Sequence, residues 1–213
     1  MSDVFSIKRH EQNVTLDPNR TAVLVIDMLN DFCLPGGKMA LPGYERLVPP
    51  QRTVIESARS LDVPIFWIIQ CHDARLRRDR ELLKRDTHCL IGSWGEQIID
   101  DLQPRDGDFR VRKHRYSAFF RTPLDVLLKD MRCDQLVVFG IVTNICVRST
   151  VHDAFFEGYE VVVPEDCCAA TGPREQESSL YDIATHFGVV SRSAMVIDSL
   201  TRGTALTTVE GVV

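Results

Sequence analysis

QLVVFGIVTNICVRSTVHDAFFEGYEVVVPED, residues 135–166, reads as one strand–helix–strand unit. QLVVFGI (135–141) and EVVVPED (160–166) are apolar runs of strand length. Between them, NICVRSTVHDAFFEGY (144–159) sets Val147, Val151, Ala154 and Phe155 on one helical stripe, and Gly158 ends it. Strands apolar on both faces belong in a sheet covered on both sides, and a helical crossover makes them parallel.

The rest of the chain repeats this pattern. TAVLVID (21–27), VPIFWIIQ (63–70) and DFRVRK (108–113) read as further strands, and SAMVIDS (193–199) as a possible sixth. PPQRTVIESARSL (49–61), EQIIDDL (96–102), TPLDVLLKDM (122–131) and REQESSLYDIATHF (174–187) read as helices. The third begins with Thr122 as cap and Pro123 in the first turn, and Gly188 stops the fourth. The expected fold is α/β: a doubly wound three-layer sandwich with a six-stranded, mostly parallel sheet, one domain over residues 1–213. The irregular span 71–95, CHDARLRRDRELLKRDTHCLIGSWG, reads as a solvated loop or helix rather than a phosphate site.

Bulk properties narrow the function. The chain has 213 residues and a formal net charge of -5, which argues against a general nucleic-acid or anionic-membrane surface. No apolar run reaches membrane-spanning length, and MSDVFSIKRHEQN lacks a signal-peptide core, so the expected location is cytoplasmic. Seven cysteines, an odd number without a secretion signal, read as free thiols. This includes the adjacent Cys167 and Cys168, for which a redox pair is the alternative to two small buried residues. The dinucleotide, P-loop and nucleophile-elbow signatures are missing, and no cofactor is expected.

Sites in doubly wound sheets gather at the carboxyl ends of strands. Asp27, Gln70 and Lys113 end three of the strands, and Cys146 follows the fourth at a helix start. These types make a coherent chemistry. A helix N-terminus lowers a thiol pKa, Asp27 suits a general base, Lys113 supplies a positive charge, and backbone N–H groups around 142–146 suit an oxyanion. Each residue taken alone also has an ordinary structural reading.

LVIDMLNDF, RKHRYSAFF and GIVTNICVRST, in this order, resemble the three blocks of the isochorismatase-like cysteine hydrolases, and the likeness runs from about residue 20 to 200. The resemblance implies a six-stranded parallel sheet and a catalytic triad of Asp27, Lys113 and Cys146. It also implies a cis peptide between Ile141 and Val142, with the Val142 and Cys146 N–H groups as oxyanion donors. A homo-oligomer, dimer or tetramer, follows from the same likeness. The implied activity is hydrolysis of a C–N bond in a small amide or ureido substrate through a thioester. Alternatives are a non-catalytic member, a vinyl-ether hydrolase that does not use the cysteine, and a nicotinamidase-like amidase.

The nicotinamidases carry a metal-binding D-x-H pair where this chain reads Gln70, Cys71, His72. An amide is a poor metal ligand, and a zinc set of His72 and Cys71 with His88 and Cys89 matches no standard spacing, so no metal is expected. WGEQIIDDLQPRDGDFRVRKHRYSAFFRTPLD resembles ureidoacrylate amidohydrolases, and EDCCAATGP resembles biuret hydrolases. Phe32, Gln70, Tyr116, Phe120 and Asn144 are candidate substrate contacts. Trp94 is a candidate lid, and Arg121 and Arg174 are candidate partners for a substrate carboxylate.

Overall fold

A computed structural model describes residues 13–77 and 79–212. The elements are β1 (Thr21–Ile26), α1 (Val48–Ser60), β2 (Ile65–Gln70), β3 (Phe109–Lys113), α2 (Leu124–Asp130) and β4 (Gln135–Ile141), then α3 (Arg148–Phe156), β5 (Glu160–Pro164), β6 (Cys168–Ala169), α4 (Pro173–Asp182), β7 (Val189–Ser191) and α5 (Ser193–Arg202). The strands pair in the order β3-β2-β1-β4-β5-β7, with the two-residue β6 on the end of β4. Every pairing is parallel. β1, β2 and β4 are buried along their whole length, as strands apolar on both faces must be. Helices flank the sheet: α1 packs against α5, while α3 and α4 meet through turns at 143–147 and 183–187.

The path reverses between β1 and β4, and the crevice at such a switch point is where doubly wound sheets bind ligands. Gly140, with φ +129°, makes the approach of β4 to β1 possible there: a Cβ would lie 2.1 Å from Ile26 O.

Three expectations change. Residues 193–199 are helical, and the sixth strand of the main path is Val189–Ser191. The α5 start is capped from afar: Ser193 N donates to Asp166 Oδ1 at 2.8 Å, a tertiary cap that local sequence does not reveal. Gly188, read as a helix stop, also lets β7 approach β5, since a Cβ there would sit 2.4 Å from Val161 O. Residues 96–102 form no single helix but two short 3₁₀ turns, Trp94–Glu96 and Asp100–Leu102. An antiparallel bridge from Ile98 to Leu29 interrupts them. On α3, Val147, Val151 and Ala154 are buried as expected, but Phe155 is 42% exposed and rests edge-on against Phe187. Thr150 is buried in its place, with Oγ1 donating to Cys146 O and accepting from Ala118 N. All seven cysteines are buried free thiols.

Candidate active site

Strand register assembles the cluster. Gln70 and Lys113 are cross-strand partners at the ends of β2 and β3, so both side chains leave the same face. Asp27 follows β1 with φ 52°, left-handed backbone that aspartate tolerates better than most residues. Its Oδ1 accepts the Gln70 N–H at 2.8 Å. Cys146 lies in a π-helical turn, Thr143–Val147, between β4 and α3. The Ile141–Val142 peptide before this turn is cis.

The three ionisable groups meet without water-exposed surface on Asp27 or Lys113. Lys113 Nζ stands 2.8 Å from Asp27 Oδ2, 2.5 Å from Gln70 Oε1 and 3.5 Å from Cys146 Sγ. Lys113 Nζ and Asp27 Oδ2 form a fully buried ion pair. Burial works against the Lys113 charge, but Asp27 and Cys146 outweigh it and hold the ammonium above its ordinary value.

Cys146 corrects an expectation. A helix start and a neighbouring lysine were expected to lower the thiol pKa. Instead burial pushes it well above its ordinary value; Lys113 opposes this, and the charge and hydrogen bond of Asp27 reinforce it. This direction favours the neutral thiol form of Cys146 beside Asp27.

A cavity of about 350 Å³ opens onto Cys146. Phe32, Met39, Leu41, Ile141 and Ile145 give it an apolar wall, and Glu81, Arg85, His88, Tyr116 and Thr171 a polar one. Phe32 and Tyr116 therefore stand where the sequence reading put them. Gln70 lies behind the cavity wall, against Lys113. Phe120 is 49% exposed under the Arg121 guanidinium and does not line the cavity. Asn144 does not line it either: its amide exchanges two hydrogen bonds with Thr171, which does. Trp94 borders a separate groove with Asp31, and Arg174 is absent from the cavity wall.

Glu81 and Arg85 escaped the sequence reading, and His88 entered it only in the zinc set that was set aside. They sit in the span read as solvated, which has no periodicity to place it. The available signal was position: this span follows the carboxyl end of β2, where binding loops collect.

His72, Glu81 and His88 offer ligand atoms within 4.8 Å of one another. His72 Nδ1 is fixed by Asp79 Oδ2 at 2.8 Å and His88 Nδ1 by the Asp86 carbonyl at 2.7 Å, which turns each Nε2 toward Glu81. By ligand type the set suits a divalent cation. The Gln70 amide does not. Lys113 has only donors to offer, so Gln70 presents its oxygen there and its NH₂ group to the cluster. Gln70 Nε2 lies 3.0 Å from His72 Nε2 and 3.2 Å from Glu81 Oε2, an N–H donor standing where a cation would. The arrangement does not fit a metal. The zinc set with Cys71 and Cys89 is not formed either, since their thiols point to the Lys113 and Gly95 carbonyls.

A parallel α/β sheet carries these groups at the carboxyl ends of its strands, with Cys146 and Asp27 at the switch point. The chain belongs to the isochorismatase family, whose Isochorismatase domain matches residues 21–195. Among solved structures it is similar to a cysteine hydrolase from Pseudomonas syringae pv. phaseolicola 1448A, with 28% identity, TM-score 0.83, and 90% of this chain and 97% of that one covered. It is similar to the N-carbamoylsarcosine amidase from Thermoplasma acidophilum, with 33% identity, TM-score 0.74, and coverage of 82% and 96%. A nicotinamidase/pyrazinamidase from Bacillus subtilis shares the fold at 24% identity and TM-score 0.75, covering 81% and 100%. No helix among the described residues is long and apolar enough to cross a membrane.

Proposed function

We propose that the protein is a cysteine-dependent amidohydrolase that cleaves a C–N bond of a small amide, carbamoyl or ureido substrate. The observation that carries this reading is the buried cluster of Asp27, Lys113 and Cys146, of which Cys146 opens onto a cavity. The similarity to an N-carbamoylsarcosine amidase supports it.

Asp27 takes the proton from the Cys146 thiol as sulfur attacks the substrate carbonyl carbon. The C=O pair moves to oxygen, and the oxyanion is met by the Val142 and Cys146 N–H groups. Ile145 and Val147 are engaged elsewhere, since both donate to Val142 O. Preorganised donors of this kind contribute roughly 2.7–4 kcal/mol each. The proton held by Asp27 passes to the leaving nitrogen as the C–N bond breaks, giving an amine or ammonia and a thioester. Water then adds to the thioester as Asp27 accepts one of its protons, and as the C–S bond breaks Asp27 returns that proton to sulfur, restoring the thiol and releasing a carboxylic or carbamic acid. Lys113 offsets the negative charge that develops on sulfur and on Asp27 between these proton transfers.

The test is ammonia release from biuret, ureidoacrylate, N-carbamoylsarcosine, maleamate and nicotinamide, run beside Cys146→Ala. Cysteine-dependent release from one of them is expected. Equal activity in the alanine variant would favour a vinyl-ether or other cysteine-independent hydrolase.

A further inference from the structure

The charges around the cavity do not all cancel. Asp27 and Lys113 oppose each other behind Cys146. Glu81 is held on its wall by Gln70 Nε2 at 3.2 Å and by His88 Nε2 at 3.4 Å. Arg85 is different. It lines the same cavity, yet its NH1 donates only to the Lys84 carbonyl at 3.2 Å, and it forms no ion pair among the described residues. A guanidinium is a fork of donors shaped for a carboxylate.

Two further observations point the same way. Tyr116 lines the cavity with Arg85. Burial raises the Tyr116 phenol, Glu81 and Cys146 add to this, and Arg85 opposes it, so the hydroxyl lies within the fields of Arg85 and Cys146 together. The surrounding loop is also basic in an acidic chain: residues 74–86 carry six cations, Arg75, Arg77, Arg78, Arg80, Lys84 and Arg85, against three acids. Such a local field draws anions toward a cleft. The other arginine candidates do not compete, because Arg121 lies over the Phe120 ring and Arg174 is off the cavity wall.

We propose that the substrate is a short amide or ureide that also bears a carboxylate, its scissile carbonyl at Cys146 and its carboxylate on the Arg85 guanidinium and the Tyr116 hydroxyl. The proposal rests on the amidohydrolase reading and narrows it. It makes Arg85 a specificity-determining residue and sets neutral ureides such as biuret among the poor substrates.

Two matched pairs test it: maleamate with its methyl ester, and N-carbamoylglycine with its methyl ester, all read by ammonia release. The wild type is expected to favour a free acid by about tenfold or more in kcat/KM. Arg85→Gln should bring that ratio close to one, and Arg85→Lys should keep part of it. Higher ionic strength should narrow it. Calorimetry of the same four compounds on Cys146→Ala, with and without Arg85→Gln, reads carboxylate recognition without turnover. Turnover of acid and ester alike, unaltered by Arg85→Gln, overturns the carboxylate proposal and leaves the amidase reading standing. Arg85-dependent binding of the acids without turnover by the wild type does the reverse. Acid and ester binding equally to Cys146→Ala also overturns the proposal.

Discussion

The two ends of β1 and β4 both bury polar side chains, and they treat them differently. At the amino end Gln135 closes a clasp. Its Oε1 accepts from Asp17 N at 2.8 Å and Thr21 Oγ1 at 3.2 Å, and its Nε2 donates to Thr15 O and Glu160 Oε2. At the carboxyl end Asp27 Oδ2 is ion-paired with Lys113 at 2.8 Å, and a thiol that opens onto a cavity lies beside the pair. The first network joins neighbouring backbone and side chains. The second sets buried charge beside a thiol, and the proposed chemistry belongs there.

Substitutions at the two ends should separate accordingly. The largest effect belongs to Cys146→Ser: turnover should fall more than about a hundredfold while circular dichroism and the unfolding midpoint stay near those of the wild type. An active serine variant would sink the covalent route. Lys113→Met comes next. It leaves a buried carboxylate uncompensated, and urea unfolding should show a loss of about 3–5 kcal/mol together with lost activity. Gln135→Leu at the opposite end should cost about 1–3 kcal/mol, because its polar neighbours lose their partner, with kcat/KM unchanged. A parallel drop in kcat/KM would erase the distinction between the two ends.

A smaller effect is expected in alkali. The folded-state values of Cys146 and Lys113 are raised above the ordinary 9.0 and 10.5. The folded protein therefore holds protons that the unfolded chain releases. The stability contributed by Cys146 is complete below pH 9.0 and is lost as pH rises toward its folded value; that of Lys113 follows from 10.5 upward. Stability measured from pH 8 to 11 should fall, and Cys146→Ala should flatten the earlier part of the decline. The smallest expected effect is none at all. With the Gln70 amide filling the space between His72 and Glu81, EDTA should leave activity where it was; loss with chelator and rescue by zinc would show that the amide swings aside.

How much of this was legible in sequence follows from the physics of each segment. Asp27, Gln70 and Lys113 each end a strand, and the strand rule alone brings them to one rim with Cys146. The strands β1, β2, β4 and β5 were readable because a strand buried on both faces is a bare apolar run, whereas β3 shows the alternation of an edge strand, with Arg110 and Arg112 exposed. The helical fate of residues 193–199 was not, since its cap is Asp166, 27 residues earlier. Nor was the cavity wall from Glu81, Arg85 and His88, because nothing periodic fixes a loop whose position depends on the sheet beneath it. The thiol pKa failed for a related reason: sequence shows the helix start but not the depth of burial.

Lys113 is carried by β3, an edge strand paired only with β2 and bearing the exposed Arg110 and Arg112 on its other positions. Edge elements open at lower free energy than the strands they flank. When β3 detaches, the ammonium leaves both the carboxylate and the sulfur while β1 and β4 remain zipped. Amide hydrogen exchange along Phe109–Lys113 and intermittent silencing of the site would then be two readings of one fluctuation, and the lifetime of that edge would limit how continuously the enzyme is armed.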